Sequence, residues 1–302
     1  MDLSTNEIIK DFSPFFRVFK DGRVERHFVM EPATARLDPK TGVQSKDVVV
    51  SPGVRARIFM PEIRSPDRKL PLLVHYHGGG FSNGSAFDTL TQKLVTPLVI
   101  QANIIIISID YRLAPEHLLP IAYDDSWAAL QWVTSHANGQ GPEPWLNEKA
   151  DLGRVFLGGE SAGANIAHYV AVQAGATKLV GLKIIGMLIV HPFFGSKEID
   201  EYGMYKYICP TSAGFDHDPK LNPKVDPNLN QLPCDKVIVL VAEKDTLRSR
   251  GEAYYETLVT SGWGGNVEFF ETKGEDHCFH VFIDNDNAEV LKKKMVDFIK
   301  TD

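Results

Sequence analysis

The stretch RVFLGGESAGANIAHYVAVQAG, residues 154–175, decides the architecture. Its first residues are a near-continuous apolar run, as expected of a strand covered on both faces. Its second half is rich in small and apolar residues and reads as a good helix. Between them lies Gly159-Glu160-Ser161-Ala162-Gly163, a G-x-S-x-G pattern. The bare pattern arises often by chance, but in a strand–turn–helix it has a mechanical meaning. The turn is so sharp that the serine is strained, small neighbours let strand and helix approach, and the hydroxyl projects at the helix N-terminus. Ser161 is therefore expected to be a nucleophile rather than part of a plain structural turn.

The same rhythm extends on both sides. Apolar runs at 71–77, 103–109, 182–190, 236–242 and 266–271 alternate with helical windows at 87–101, 121–137, 247–261 and 287–300. Buried strands alternating with helices imply a mostly parallel sheet wrapped by helices, the α/β class. Upstream, FRVFKDGRVERHF carries a hairpin signal at Asp21-Gly22, and KDVVVS and VRARIFM flank Pro52-Gly53, so the sheet should begin antiparallel. Residues 191–233 are rich in Pro, Gly, Asn and Asp. A structureless loop of that length is expected to be functional, and together with residues 1–45 it is expected to form a cap or lid on one domain spanning 1–302.

The chain has 302 residues, 43% hydrophobic content and a formal net charge of -7. An acidic balance argues against a nucleic-acid partner, which would call for a basic face, and against a polybasic membrane anchor. No window reaches the ~18 apolar residues of a membrane span, and the N-terminus lacks the apolar core of a signal peptide. Three scattered cysteines, Cys209, Cys234 and Cys278, do not make a disulfide framework. The expectation is a soluble cytoplasmic protein with a small-molecule substrate; the sequence sets no oligomeric state.

A serine needs a base, and the base an orienting group. On this kind of strand–turn–helix scaffold the order along the chain is serine, acid, histidine. Asp245 stands just past the run 236–242, where the acid belongs; a helix N-cap is its alternative role, and Glu243 is the fallback. His277, in the loop after 266–271, is the expected base. His280, three residues on, is expected to pack inside the next helical turn. A metal is not expected: His277-x-x-His280 and His75-x-His77 lack a third ligand, and H-E-x-x-H is absent. His77-Gly78-Gly79-Gly80 has a better use, because a glycine-rich loop brings backbone N–H groups close to a developing oxyanion. Gly78 and Gly79, with Ala162 after the nucleophile, are the expected donors, and His77 the residue that shapes the loop. His75, His168 and Arg112 are read as structural, with Asp110, Arg112, Asp124 and Asp125 forming an ion-pair network. Phe81, Phe87, Phe194, Tyr202 and Phe279 are candidate substrate-lining residues, each equally suited to the core.

HGGGF at 77–81, DYRLAPEHLLP at 110–120, GESAGAN at 159–165, KD at 244–245 and EDHCFH at 275–280 together resemble the hormone-sensitive-lipase-like α/β-hydrolases. FRVFKDGRVER, TGVQSKDVVV and the HANG turn at 136–139 are similar to plant class I carboxylesterases, in the branch of the 2-hydroxyisoflavanone dehydratases. The resemblance covers nearly the whole chain. It implies the α/β-hydrolase fold with an eight-stranded sheet and N-terminal cap, a Ser161-Asp245-His277 triad, and cofactor-free hydrolysis of small plant-metabolite esters. It also holds a second activity, since relatives use the same pocket for elimination or rearrangement; legume dehydratases carry threonine where this chain has Ser161. Gibberellin receptors, which lose the histidine, are a poorer match because His277 is present. Between Pro192 and Cys209 the chain is shorter than relatives usually are, implying a reduced lid there.

Overall fold

The computed structural model describes residues 6–63, 68–196 and 203–301. Three short antiparallel strands come first, β1 (Ile8–Phe12), β2 (Phe16–Phe19) and β3 (Val24–Arg26). The Asp21-Gly22 turn joins β2 to β3 with Gly22 at φ 86°, a conformation that suits glycine. Next come β4 (Gln44–Ser51), β5 (Val54–Met60), β6 (Leu70–Tyr76), α1 (Thr89–Ala102), β7 (Ile105–Asp110), α2 (Ile121–Thr134), α3 (Pro144–Lys149), β8 (Ala150–Glu160) and α4 (Ala162–Thr177). The chain continues through β9 (Ile184–Val190), α5 (Met204–Ile208), β10 (Lys236–Ala242), α6 (Arg248–Thr260), β11 (Asn266–Thr272), α7 (Phe279–Phe282) and α8 (Asp286–Lys300).

Among the described residues, eight strands form one sheet in the order β11-β10-β9-β8-β6-β7-β5-β4. The pairings from β11 through to β7 are parallel, while β5 pairs antiparallel with both β7 and β4. This is the mixed sheet that the pattern of apolar runs predicts.

The central strands are apolar on both faces because both faces are covered. Val237, Val239 and Val241 of β10 join the core on one face, and Ile238, Leu240 and Ala242 the core on the other. Helices α2 and α4 supply the first core; α1 and α8 supply the second.

The three-stranded N-terminal sheet is anchored onto the loops above the main sheet. Phe16 and Val18 enter the first core. The Arg26 guanidinium donates to the Ser82 and Ala114 carbonyls at 2.6 and 3.0 Å and pairs with Glu116. The described residues of 191–233 are packed against the body of the fold. Tyr205, Ile208, Leu221, Leu229 and Leu232 are buried in the first core, and the chain is pinned by α5 and two 3₁₀ turns, Pro223–Val225 and Leu229–Gln231. Of the shortened stretch, 195–208, residues 197–202 lie outside the described residues.

Strand β8 and helix α4 meet β6 at very close range. A Cβ on Gly163 would stand 1.9 Å from the Tyr76 carbonyl oxygen, and one on Gly159 would stand 2.2 Å from it. Gly163→Ala is accordingly expected to cost about 3 kcal/mol or more of stability, read as a lowered midpoint in denaturant unfolding.

Candidate active site

The sharp turn after β8 puts Ser161 at φ 56° and ψ -118°. A non-glycine residue there costs about 1–3 kcal/mol, so its surroundings must hold it. The Ser161 N–H donates to the Val190 carbonyl at 2.9 Å, and the Ser161 carbonyl accepts from Phe193 at 3.0 Å. The side chain is left pointing out of the turn.

The loop after β11 carries His277 toward it. His277 Nε2 lies 2.9 Å from Ser161 Oγ, and His277 Nδ1 lies 2.7 Å from Asp245 Oδ2. A carboxylate only accepts, so the Asp245 contact fixes the proton on Nδ1 and leaves the Nε2 lone pair facing the serine hydroxyl. Asp245 is almost wholly buried, and its other oxygen accepts the Leu247 N–H at 2.7 Å. It thus does both things its position suggests, bracing the turn into α6 and orienting the histidine. Glu243 is turned away, accepting from the Gly274 N–H at 2.8 Å.

Burial opposes the charged form of His277, but the Cys278 sulfur and the Asp245 carboxylate outweigh it, so the imidazole is more basic than an ordinary histidine. Cys278 follows in left-handed conformation, φ 50°, with Sγ 3.6 Å from His277 Nε2. Burial raises its thiol pKa, against the pull of His277.

His280 is buried on α7, and both its ring nitrogens lack a hydrogen-bond partner. Burial pushes its pKa down to about 3, so it is a neutral packing residue. His191, just past β9, is a contributor that sequence reasoning passed over. Its buried Nδ1 accepts the Cys278 N–H at 2.7 Å and sits 3.9 Å from Asp245 Oδ2. The only signal in the sequence was its place at the end of an apolar run.

Gly78 passes beside Ser161, where a Cβ on the glycine would stand 3.5 Å from the serine Cβ. Gly79 has φ 114°, and a Cβ there would strike the Asn83 carbonyl at 2.2 Å. The loop is held from below: the Tyr111 hydroxyl donates to the His77 carbonyl at 2.7 Å, and the His77 ring stacks on Tyr111. His77 Nδ1 donates to the Gly78 carbonyl at 2.8 Å. His75 bonds Ser108 and the Glu160 carboxylate and His168 bonds Tyr254, both buried supports, while the part-exposed Arg112 grips buried Asp125 through two nitrogens. Asp110 is bound by Ser85 and Ala86 instead of joining Arg112.

Above Ser161 lies a cavity of about 220 Å³. Pro14, Phe15, Phe28 and Met30 of the N-terminal segment form one wall, and Leu90 and Leu94 of α1 another. Val281 and Phe282 of α7 complete it, with His277, Cys278 and Gly78–Gly80 at the base. The four described aromatic residues expected to line it do not. Phe81 is buried against Tyr123, Phe193 and Tyr205, and Phe194 against Tyr254. Phe279 stacks on His191, and Phe87 faces Arg55 and Arg57. Tyr202 lies outside the described residues. The N-terminal part of the expected cap borders the cavity; among the described residues of 191–233, none does.

The profile of the alpha/beta hydrolase fold family matches residues 73–281. The chain is 42% identical to probable carboxylesterase 5 of Arabidopsis thaliana, over 97% of this chain and 99% of that one. It is 40% identical to a 2-hydroxyisoflavanone dehydratase of Glycyrrhiza echinata, over 98% and 97% of the two chains. The structure of a Pyrobaculum calidifontis esterase superposes with a TM-score of 0.70 at 26% identity, covering 85% of this chain and 84% of that one. The chain belongs to the α/β-hydrolase family, in the branch that holds plant carboxylesterases and 2-hydroxyisoflavanone dehydratases.

The two histidines beside His277 should respond oppositely to loss of their ring nitrogens. His191→Leu leaves the buried Cys278 N–H unpaired and is expected to cost about 1–3 kcal/mol. His280→Leu removes two unpartnered polar atoms and should leave stability within about 1 kcal/mol of the parent or raise it. Denaturant unfolding of both variants measures the difference.

Proposed function

We propose that the chain is a serine carboxylesterase that hydrolyses small, uncharged esters of plant metabolism through an acyl-enzyme on Ser161. The observation that carries this reading is the Asp245–His277–Ser161 chain of 2.7 and 2.9 Å contacts, opening on an apolar cavity. Ser161 Oγ attacks the ester carbonyl while His277 Nε2 takes its proton and Asp245 stabilises the imidazolium. The N–H groups of Gly78, Gly79 and Ala162 receive the oxyanion; fixed donors of this kind are each worth about 3–4 kcal/mol in acyl transfer. His277 then returns the proton to the leaving alcohol and activates the water that frees the acid. No cofactor enters the scheme.

The wall chemistry favours an apolar acyl or aryl group. The two carboxylates at the cavity edge are already engaged, Asp88 by the N–H groups of Ser85 and Thr91 and Glu160 by His75. Neither is set to bind a charged substrate. Residues 1–302 are read as one domain, on the strength of an N-terminal segment that supplies one wall of that cavity. A cytoplasmic setting is supported by three buried cysteines that are all free. Among the described residues, no helix is long and apolar enough to cross a membrane.

Elimination of water is the second reading, favoured by the 40% identity to a dehydratase. Assays with p-nitrophenyl acetate and butyrate separate the two. Ester turnover should fall by at least about 10⁴-fold in Ser161→Ala and in His277→Ala, with organophosphate labelling lost in the first. His280→Ala should remain active. Wild-type turnover in Ser161→Ala would refute the nucleophile assignment. Negligible turnover by the folded wild-type protein would shift the assignment to elimination.

A further inference from the structure

The paired-histidine metal sites weighed on the sequence fail in three dimensions. His280 is walled off inside α7, and His75 is tied to Ser108 and Glu160. A different pair comes nearer, with a sulfur and a nitrogen at the spacing a metal needs. Among the described residues, one group of His, Cys, Asp and Glu side chains brings three potential ligand atoms within 4.8 Å of one another: His191, His277 and Cys278. We propose that Cys278 Sγ and His277 Nε2 together form a binding site for a soft divalent cation, Zn²⁺ or Cd²⁺, seated at the base of the cavity over Ser161.

Distance supports the pair. A tetrahedral zinc with sulfur at about 2.3 Å and nitrogen at about 2.05 Å separates those two atoms by about 3.6 Å. Cys278 Sγ and His277 Nε2 are 3.6 Å apart without any rearrangement. The ring is also prepared in the way metal-binding histidines are. Its Nδ1–H is held by a buried carboxylate, Asp245, at 2.7 Å, so Nε2 carries the lone pair and the ring plane is fixed.

The sulfur is fixed as well. Cys278 is locked in left-handed conformation by its N–H bond to His191 Nδ1. That bond occupies His191 Nδ1, so this nitrogen braces the sulfur and is not a third ligand. Ser161 Oγ, 2.9 Å from His277 Nε2, and water fill the remaining positions. Entry is through the cavity, which both Cys278 and His277 line.

Binding replaces the Cys278 thiol proton with the cation, the proton leaving to solvent, and no electron is transferred. The His277 lone pair becomes the second bond. A cation there removes the nitrogen that would accept the serine proton. It should therefore block ester turnover; that consequence rests on the proposed esterase reading, whereas binding itself does not.

The test titrates the whole protein with CdCl₂ and follows the thiolate-to-cadmium charge-transfer absorption in the ultraviolet. The expected result is a saturable band at one equivalent, kept in Cys209→Ser/Cys234→Ser and lost in Cys278→Ser. Asp245→Asn, which removes the support of the ring while leaving both ligands, should weaken binding by about 10–100-fold. His277→Ala, at a partly exposed residue, provides a second ligand deletion and should weaken it at least as much. No band in the wild-type protein, or a band of unchanged affinity in Cys278→Ser or in His277→Ala, overturns the site. Turnover inhibited by Cd²⁺ and restored by a chelator would extend the site to the reaction. Binding without inhibition would leave the site standing and count against the catalytic role of His277.

Discussion

The backbone carbonyl of Tyr76 has no room beside it for a side chain. Strand β8 and helix α4 both press onto it, through Gly159 and Gly163. This contact draws the end of β6, the end of β8 and the start of α4 into one point. Ser161 lies on the turn between the two glycines, and Gly78 follows two residues after Tyr76, so the serine and the glycine loop are brought together by the same packing. The strain at Ser161 is held by bonds from neighbouring backbone, Val190 on one side and Phe193 on the other. Close packing of this kind transmits any added volume, because protein interiors have no slack to absorb it.

A second constraint acts from the other end of the sheet. Strands β9, β10 and β11 end side by side, and the residues just past them are His191, Asp245 and the loop of His277. Parallel pairing places these strand ends on one edge, so three residues distant in sequence converge. The left-handed residue Cys278 then breaks the chain direction immediately after His277. Without that reversal α7 could not carry His280 into the interior while His277 stays at the cavity. One backbone conformation thus explains why two histidines three apart have unrelated environments.

Much of this was legible in the sequence, and for physical reasons. Strand 236–242 was read to the residue because every position is apolar or at its edge, and a strand covered on both faces has no other pattern. The turn at Ser161 was legible because only glycine fits at 159 and 163. What the sequence hid was of two kinds. β1 is mostly exposed and lacks an apolar run, so nothing in IIKDF distinguished it from a loop. Phe81, Phe194 and Phe279, expected in the cavity wall, belong to the core, because composition says that a phenylalanine is buried but not against what. Phe15 and Phe28 took that place because the N-terminal strands fold back over the glycine loop, a long-range contact with no local signature. His191 was hidden likewise: its partner is the Cys278 N–H, and backbone groups leave no mark in a sequence.

The division between reacting groups and cavity wall bears on which reaction is run. Ester cleavage and elimination of water both need a base, a held proton and a site for negative charge, and the groups around Ser161 can serve either. Selection must therefore come from how the wall orients a substrate above His277 Nε2. Here that wall is apolar, and its carboxylates are committed to internal bonds. An apolar wall grips by shape and area, at about 25 cal/mol per Å², and cannot read a hydroxyl pattern as a polar wall does. A flexible ester placing one carbonyl at the glycine loop needs little more than that. A polyhydroxylated substrate that must present one particular C–H to the base needs directional partners, and the committed carboxylates do not offer them. The geometry of the wall, more than that of the three reacting residues, therefore weights the site toward hydrolysis.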